Sequence, residues 1–182
     1  MSLAHALHHL KRDFLLLRAN LKCCTLLPVP QEYKEGRFLF KTADKDDYSQ
    51  AKAFYHKYCG AGVPWLIKLW NKRFNKLCYL IKNEEGKVVG IAFFMFNEVE
   101  IKDLIVHELI IIIDEEYRGL SLSSKLQQYI KNSLKEGSIN AISTCIEFGN
   151  QKALRSAQKV GFFILKQSAK PPAHYLLCKL KN

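Results

Sequence analysis

The chain has 182 residues, of which 48% are hydrophobic and 25% charged, and a net charge of +11. That length suits one domain with a substantial core, and the composition excludes a disordered or low-complexity protein. The positive charge favours acidic partners in general without choosing among nucleic acid, anionic lipid and phosphorylated metabolites, and much of it can serve solubility alone.

In chain order, Leu3, Leu7, Leu10, Phe14, Leu17 and Leu21 form one apolar stripe at alternating intervals of four and three, which predicts a helix. His5, His8, His9, Lys11, Arg12 and Arg18 lie around or beside it. The plain reading is a helix packed on its own domain; a homodimer helix and a basic membrane-surface helix are the alternatives. Pro28-Val29-Pro30 ends it and starts a linker, dividing an extension over 1–27 from a domain over 28–182. Arg37 to Lys41 is expected as the first strand, Asp44 to Tyr58 as a helix stopped by Gly60 to Gly62, and Pro64 to Phe74 as a second helix. That second helix bears Trp65 and Trp70, both expected chiefly to fill core.

A hairpin follows: Leu77 to Lys82, the turn Asn83-Glu84-Glu85-Gly86, then Lys87 to Phe96. The next strand runs from about Leu104 to Ile113, and a helix covers Leu122 to Lys135 with Leu122, Leu126, Ile130 and Leu134 on one face. Ala141 to Phe148 is a further strand leading to Asn150. A short helix then turns Ala153, Leu154, Ala157 and Val160 inward and stops at Gly161. Phe162 to Lys166 and His174 to Leu180 close the chain as strands, separated by a loop containing Pro171-Pro172. Strands and helices in this order imply an α+β fold with one mixed sheet and at least one parallel contact.

Six cysteines stand at 23, 24, 59, 78, 145 and 178, with no Cys-x-x-Cys pair. No metal site is therefore expected, and reduced thiols in a cytoplasmic protein are. Lys11, Arg12, Asp13 and Arg18 interrupt the N-terminal leucines, so no signal peptide is expected. The longest apolar run, about ten residues, falls short of the ~20 needed for a transmembrane segment. Nor is specific nucleic-acid binding expected, because the lysines are spread along the chain and no recognition module is evident.

The segment from Glu108 to Phe162 is the most informative. An apolar run, Glu108-Leu109-Ile110-Ile111-Ile112-Ile113, leads through Asp114-Glu115-Glu116 into Tyr117-Arg118-Gly119-Leu120-Ser121-Leu122-Ser123-Ser124 and then a helix. A strand emptying into a small-residue loop at a helix start offers unpaired N–H groups and a positive dipole end to phosphate. The pattern suggests a pyrophosphate-containing cofactor.

Here the chain resembles the GNAT acyltransferase superfamily, which transfers acetyl or longer acyl groups from coenzyme A. The family's loop, Arg/Gln-x-x-Gly-x-Gly/Ala, is occupied by Arg118-Gly119-Leu120-Ser121-Leu122-Ser123; its downstream Asn-x-x-Ala and Gly-Phe match Asn150, Ala153, Gly161 and Phe162. The resemblance spans roughly Arg37 to Leu180. It implies a central mixed sheet flanked by helices, with the N-terminal helix as an extra. It also implies acetyl-CoA, or another acyl-CoA, as cosubstrate and a small-molecule amine as acceptor. Amides of 119–124 would wrap the pyrophosphate, Arg118 would add charge, and backbone groups of Ile111 and Ile113 would hold the pantetheine arm. Leu120, Leu122, Ser124, Asn150 and Ala153 would complete the cofactor site. Glu108 is the candidate base and the Ile111 N–H the oxyanion contact; His107 points to the opposite face by strand alternation.

Two departures stand out. Ser121 and Ser123 replace the usual small residues, each costing freedom at positive φ. Ala157 stands where the family often has a tyrosine acid, leaving Tyr129 and Ser156 as substitutes. The chain is read as an N-acetyltransferase acting on a primary amine by direct attack. Its positive surface mildly favours an anionic acceptor. The alternative is a catalytically weak coenzyme A sensor or scaffold on the same fold.

Overall fold

The computed structural model describes residues 3–60 and 74–181. Helix α1 (Leu3–Cys23) leads through a short 3₁₀ turn to strands β1 (Tyr33–Glu35) and β2 (Phe38–Thr42), then helix α2 (Asp47–Cys59). Strands β3 (Cys78–Lys82), β4 (Val88–Met95) and β5 (Ile105–Ile113) precede helix α3 (Leu122–Lys135). Strand β6 (Ala141–Glu147), helix α4 (Gln151–Val160), and strands β7 (Phe163–Ala169) and β8 (Pro172–Lys179) complete the chain. The helix expected over Pro64 to Phe74, with Trp65 and Trp70, lies outside the described residues but for Phe74.

All eight strands form one sheet in the order β1-β2-β3-β4-β5-β6-β8-β7. Among the described strands only β5 and β6 run parallel, as a strand–helix–strand crossover requires; the other neighbours are antiparallel. The mixed α+β sheet is as expected, with two corrections at its edges. The strand expected over Arg37 to Lys41 is β2, and an unexpected short strand β1 precedes it, because Gly36, at φ 56, turns Glu35 back against Phe38. The proline-containing loop near the C-terminus is instead a tight hairpin, with Pro172 already paired to Ala169.

One sheet face is covered by α3 and α4, whose Leu122, Leu126, Ile130, Leu134, Leu154 and Val160 are buried against Tyr79, Phe94 and Val106. Fully burying each such leucine or isoleucine contributes about 1.5–3 kcal/mol. The other face carries α2 through Ala51 and Phe54, packed near Leu80, Ile91 and Phe93. Asp44 caps α2: its Oδ1 accepts from the amides of Asp46 (2.9 Å) and Asp47 (3.0 Å), while its own amide donates to Asp47 Oδ2 at 3.0 Å. Asp47 is itself buried and pairs with Lys41 at 3.0 Å and with Lys82.

Helix α1 joins the domain through its last turns. Leu17 and Leu21 pack on the main core, and the fully buried Asn20 clamps the end of β4. Its Nδ2 donates to Phe96 O at 2.9 Å, and its Oδ1 accepts from Phe96 N at 2.7 Å. Beyond the helix, Lys76 Nζ donates to Leu27 O at 2.6 Å, and a Cβ at Gly137 would meet Pro28 Cδ at 2.7 Å. Phe14 departs from the expected stripe: it is 61% exposed. Among the described residues no helix is long and apolar enough to cross a membrane.

Candidate functional site

The site grows out of two irregularities in β5. The first is a bulge. Phe93 pairs with Ile110 and Phe94 with Glu108, so Leu109 has no partner on β4. The extra residue shifts the phase of alternation. Val106, Ile111 and Ile113 consequently share the α3 face, where Glu108 also meets α3, while Ile110 and Ile112 face α2. A regular strand would set Glu108 and Ile111 on opposite faces.

The second irregularity is a splay. Strands β5 and β6 pair only from Ile105–Ala141 to Glu108–Thr144. Beyond that, β5 stays with β4 as far as Ile113, and β6 stays with β8 as far as Glu147. The Asp114 amide donates to Val89 O at 2.9 Å, toward β4. Alternation therefore sends the Ile112 N–H the same way and turns those of Ile111 and Ile113 into the gap.

The loop after β5 is fixed by Asp114, whose Oδ1 accepts from Glu116 N at 3.2 Å and whose carbonyl accepts from Tyr117 N at 3.0 Å. Gly119 and Ser121 then take φ of 85° and 58° and deliver the chain to the start of α3. The first capping contact inside that helix is Lys125 N to Ser121 O at 3.0 Å. Among the described residues no acceptor bonds the amides of 119–124, so the donors of this helix start stay unpaired.

A cavity of about 680 Å³ fills this space, lined by Ile111, Ile113, Arg118, Gly119 and Ser121 to Ser123 on one side and Asn150, Ala153 and Ser156 on the other. Ile111, Ser123, Asn150 and Ala153 also line a second cavity of about 350 Å³, which reaches Glu108. The two form one groove from loop to carboxylate. Leu120 does not line it; its side chain is exposed. The Ser124 hydroxyl turns to Ser156 Oγ at 2.9 Å, leaving its amide for the loop.

Glu108 lies within β5. The carboxylate is buried at 3% exposure, with Gln127 Nε2 donating at 3.0 and 3.3 Å. Burial pushes its pKa from the usual 4.5 up to about 7, against the Gln127 hydrogen bond. A carboxylate poised there takes a proton near neutral pH. Gln127 escapes a reading of the sequence: one buried glutamine on an amphipathic helix carries no signal of its own. Its Oε1 has no partner.

His107 faces the other way, as alternation predicts. Its Nδ1 lies 2.7 Å from Ser143 Oγ and 3.6 Å from Glu100 Oε2. Tyr175 and Asn97 also donate to Glu100, at 2.5 Å each. Burial raises the Glu100 pKa, but hydrogen bonds from His107, Ser143, Tyr175 and Asn97 outweigh it and hold the carboxyl near 2. Glu100 thus stays ionised on this face.

Of the hydroxyls offered as substitute acids, Tyr129 is spoken for. Its hydroxyl donates to Gln31 O at 2.9 Å, and burial pushes its pKa up to about 12. Ser156 does line the groove, within 3.2 Å of Ser123 Oγ. Ala157 is fully buried in the core. Tyr117 and Phe162 both pack, Tyr117 edge-on to Phe38 and Phe162 at 4% exposure. Asn150 caps α4, its Oδ1 accepting from Ala153 N at 3.1 Å. Among the described residues no group of His, Cys, Asp and Glu is placed to hold a metal ion.

Of the two serine departures, only Ser121 pays at positive φ; Ser123 lies inside α3 with ordinary helical geometry. A left-handed non-glycine residue costs about 1–2 kcal/mol, partly offset by the greater chain entropy of glycine. Ser121→Gly is therefore expected to raise stability by up to about 1 kcal/mol, seen as a higher urea midpoint at unchanged slope.

A family model described as the Acetyltransferase (GNAT) family matches residues 42–162. No curated protein matches the chain. Solved structures do share its fold at low sequence identity. The protein yncA from Salmonella typhimurium, solved with its cofactor acetyl-CoA, is 16% identical at TM-score 0.69, covering 81% of this chain and 96% of its own. A GNAT-family acetyltransferase from Streptococcus pneumoniae is 17% identical at TM-score 0.61, covering 79% and 99%. A spermidine N-acetyltransferase chimera from Vibrio cholerae and hSSAT is 12% identical at TM-score 0.63, covering 80% and 96%.

Proposed function

The chain belongs to the GNAT family of acetyltransferases, and on that premise we propose that it moves an acetyl group from acetyl-CoA to a primary amine by direct attack. The observation that carries this reading is the joined groove, with free loop amides at one end and a buried carboxylate of pKa about 7 at the other. The diphosphate of the cosubstrate would lie on the amides of 119–124 with Arg118 alongside, and the pantetheine arm would extend β5 by bonding Ile111 and Ile113.

The thioester then comes to the bulge. The amine nitrogen attacks the thioester carbonyl carbon, the Ile111 N–H stabilises the developing oxyanion, and Glu108 takes the proton the nitrogen sheds. The carbon–sulfur bond breaks and coenzyme A departs as its thiolate, a group with an ordinary pKa near 8.5 that leaves without an obligatory protein acid. That matters here, since Ala157 supplies no hydroxyl. A cytoplasmic setting goes with the six cysteines, all of them free.

Titration of the purified chain with acetyl-CoA, paired with release of free thiol across a panel of amines, tests the reading. Arg118 is 57% exposed at its side chain and, among the described residues, ion-paired only to exposed Glu115, at 3.2 Å, so Arg118→Glu tests the loop with little risk to the fold. The variant is expected to bind acetyl-CoA about tenfold or more weakly, one lost charge-assisted bond plus repulsion. Equal binding would remove the diphosphate from this loop. Binding without turnover on any amine would favour the sensor reading, which Ala157 and the serine-substituted loop support.

A further inference from the structure

We propose that the base end of the groove selects a primary alkyl amine with no anionic group next to its reacting nitrogen, an inference that rests on the acetyltransferase reading above. The two ends of the groove differ in charge. Arg118 and Lys152 line the loop end. Among the described residues, the base end is lined by Glu108, whose carboxylate meets Gln127, and at the strand end by Glu147, and by no lysine, arginine or histidine. In a chain of net charge +11 this local reversal stands out from its surroundings.

The remaining polar groups agree. Gln127 lines the same cavity at 4% exposure, and its buried Oε1 lacks a hydrogen-bond partner. An N–H donor completes such an acceptor; a carboxylate or phosphate repels it. Thr144 Oγ1 spends its proton on Glu108 O at 3.1 Å, leaving only lone pairs. A primary amine keeps an N–H for Gln127 after yielding one proton to Glu108. A carboxylate one or two carbons from the nucleophilic nitrogen would face these groups at close range.

The test compares kcat/KM for acetyl transfer from acetyl-CoA to 1,5-diaminopentane, 6-aminohexanoate, β-alanine and glycine, using the full chain. Glycine and β-alanine are expected about a hundredfold below the diamine, with 6-aminohexanoate between, its carboxylate lying far from the nitrogen. Equal rates across the four would overturn the inference. Glu147 is exposed, so Glu147→Lys tests the electrostatic origin without a folding risk; the diamine-to-glycine ratio should fall about tenfold. An unchanged ratio would also overturn it. If acetyl-CoA binds and no amine is acetylated, the acetyltransferase reading itself fails and this inference falls with it.

Discussion

Glu108→Gln is expected to lower kcat by about 10²- to 10⁴-fold, the usual worth of a positioned general base, with acetyl-CoA affinity unchanged. The substitution keeps the shape and removes the proton acceptor. In the wild type, activity should fall as the pH drops below about 7, where Glu108 is protonated; the variant should lose that acidic limb from its residual rate. Stability moves the other way. The folded-state pKa lies above the unfolded value of 4.5, so the carboxyl's contribution is full below 4.5 and is lost as the pH rises through about 7. Above pH 7 the wild type buries a charge and the variant does not, so the variant should resist urea better at pH 8. Wild-type kcat with an intact acidic limb in the variant would remove Glu108 from the chemistry.

Asp47→Ala should produce the largest loss of stability, about 3–5 kcal/mol. Asp47 is 1% exposed at its side chain and neutralises Lys41 and Lys82, themselves only 12% and 17% exposed. Truncation takes the buried carboxylate from Lys82, leaves Lys41 to the more exposed Asp44 and Glu32, and strips the Asp44 amide of its acceptor. For a domain whose whole margin is about 5–15 kcal/mol, this is a large share, and Tm should fall by roughly 6–20 °C. A fall of under about 2 °C would mean that water already solvates the lysines. The same cluster sets an acid limit. The Lys41 hydrogen bond holds the Asp44 carboxyl down near 2 from its usual 3.8. Its contribution is therefore present above about 3.8 and lost as the pH falls through about 2.

These two residues show how unevenly a sequence discloses its structure. The long apolar strands β4 and β5, the Asn83–Gly86 turn between β3 and β4, and the periodic face of α3 each carry a local signal, and their limits follow from it within a residue or two. The loop from Arg118 to Ser123 was legible because small residues between a strand and a helix have few other uses. What stayed hidden depends on contacts between distant segments. Nothing in Glu108-Leu109-Ile110 announces a bulge, since Leu109 is skipped only because β4 is held in register from its other side by β3. Without the bulge, neither the burial of Glu108 nor its sharing a face with Ile111 follows. Gln127 and Asn20 are single polar residues among apolar ones, and each matters only through a partner on another element. Strand β1, three residues long and largely exposed, lacks a hydrophobic signature of any kind.

The Asn20 clamp on Phe96 has a consequence for biosynthesis. The two residues are 76 positions apart, and ribosomes add roughly 5–20 residues per second. Helix α1 is therefore complete roughly 4–15 seconds before its anchor point has been polymerised, with Leu17 and Leu21 uncovered throughout that interval. A pause in translation before β4 would lengthen the time those two leucines wait for their cover.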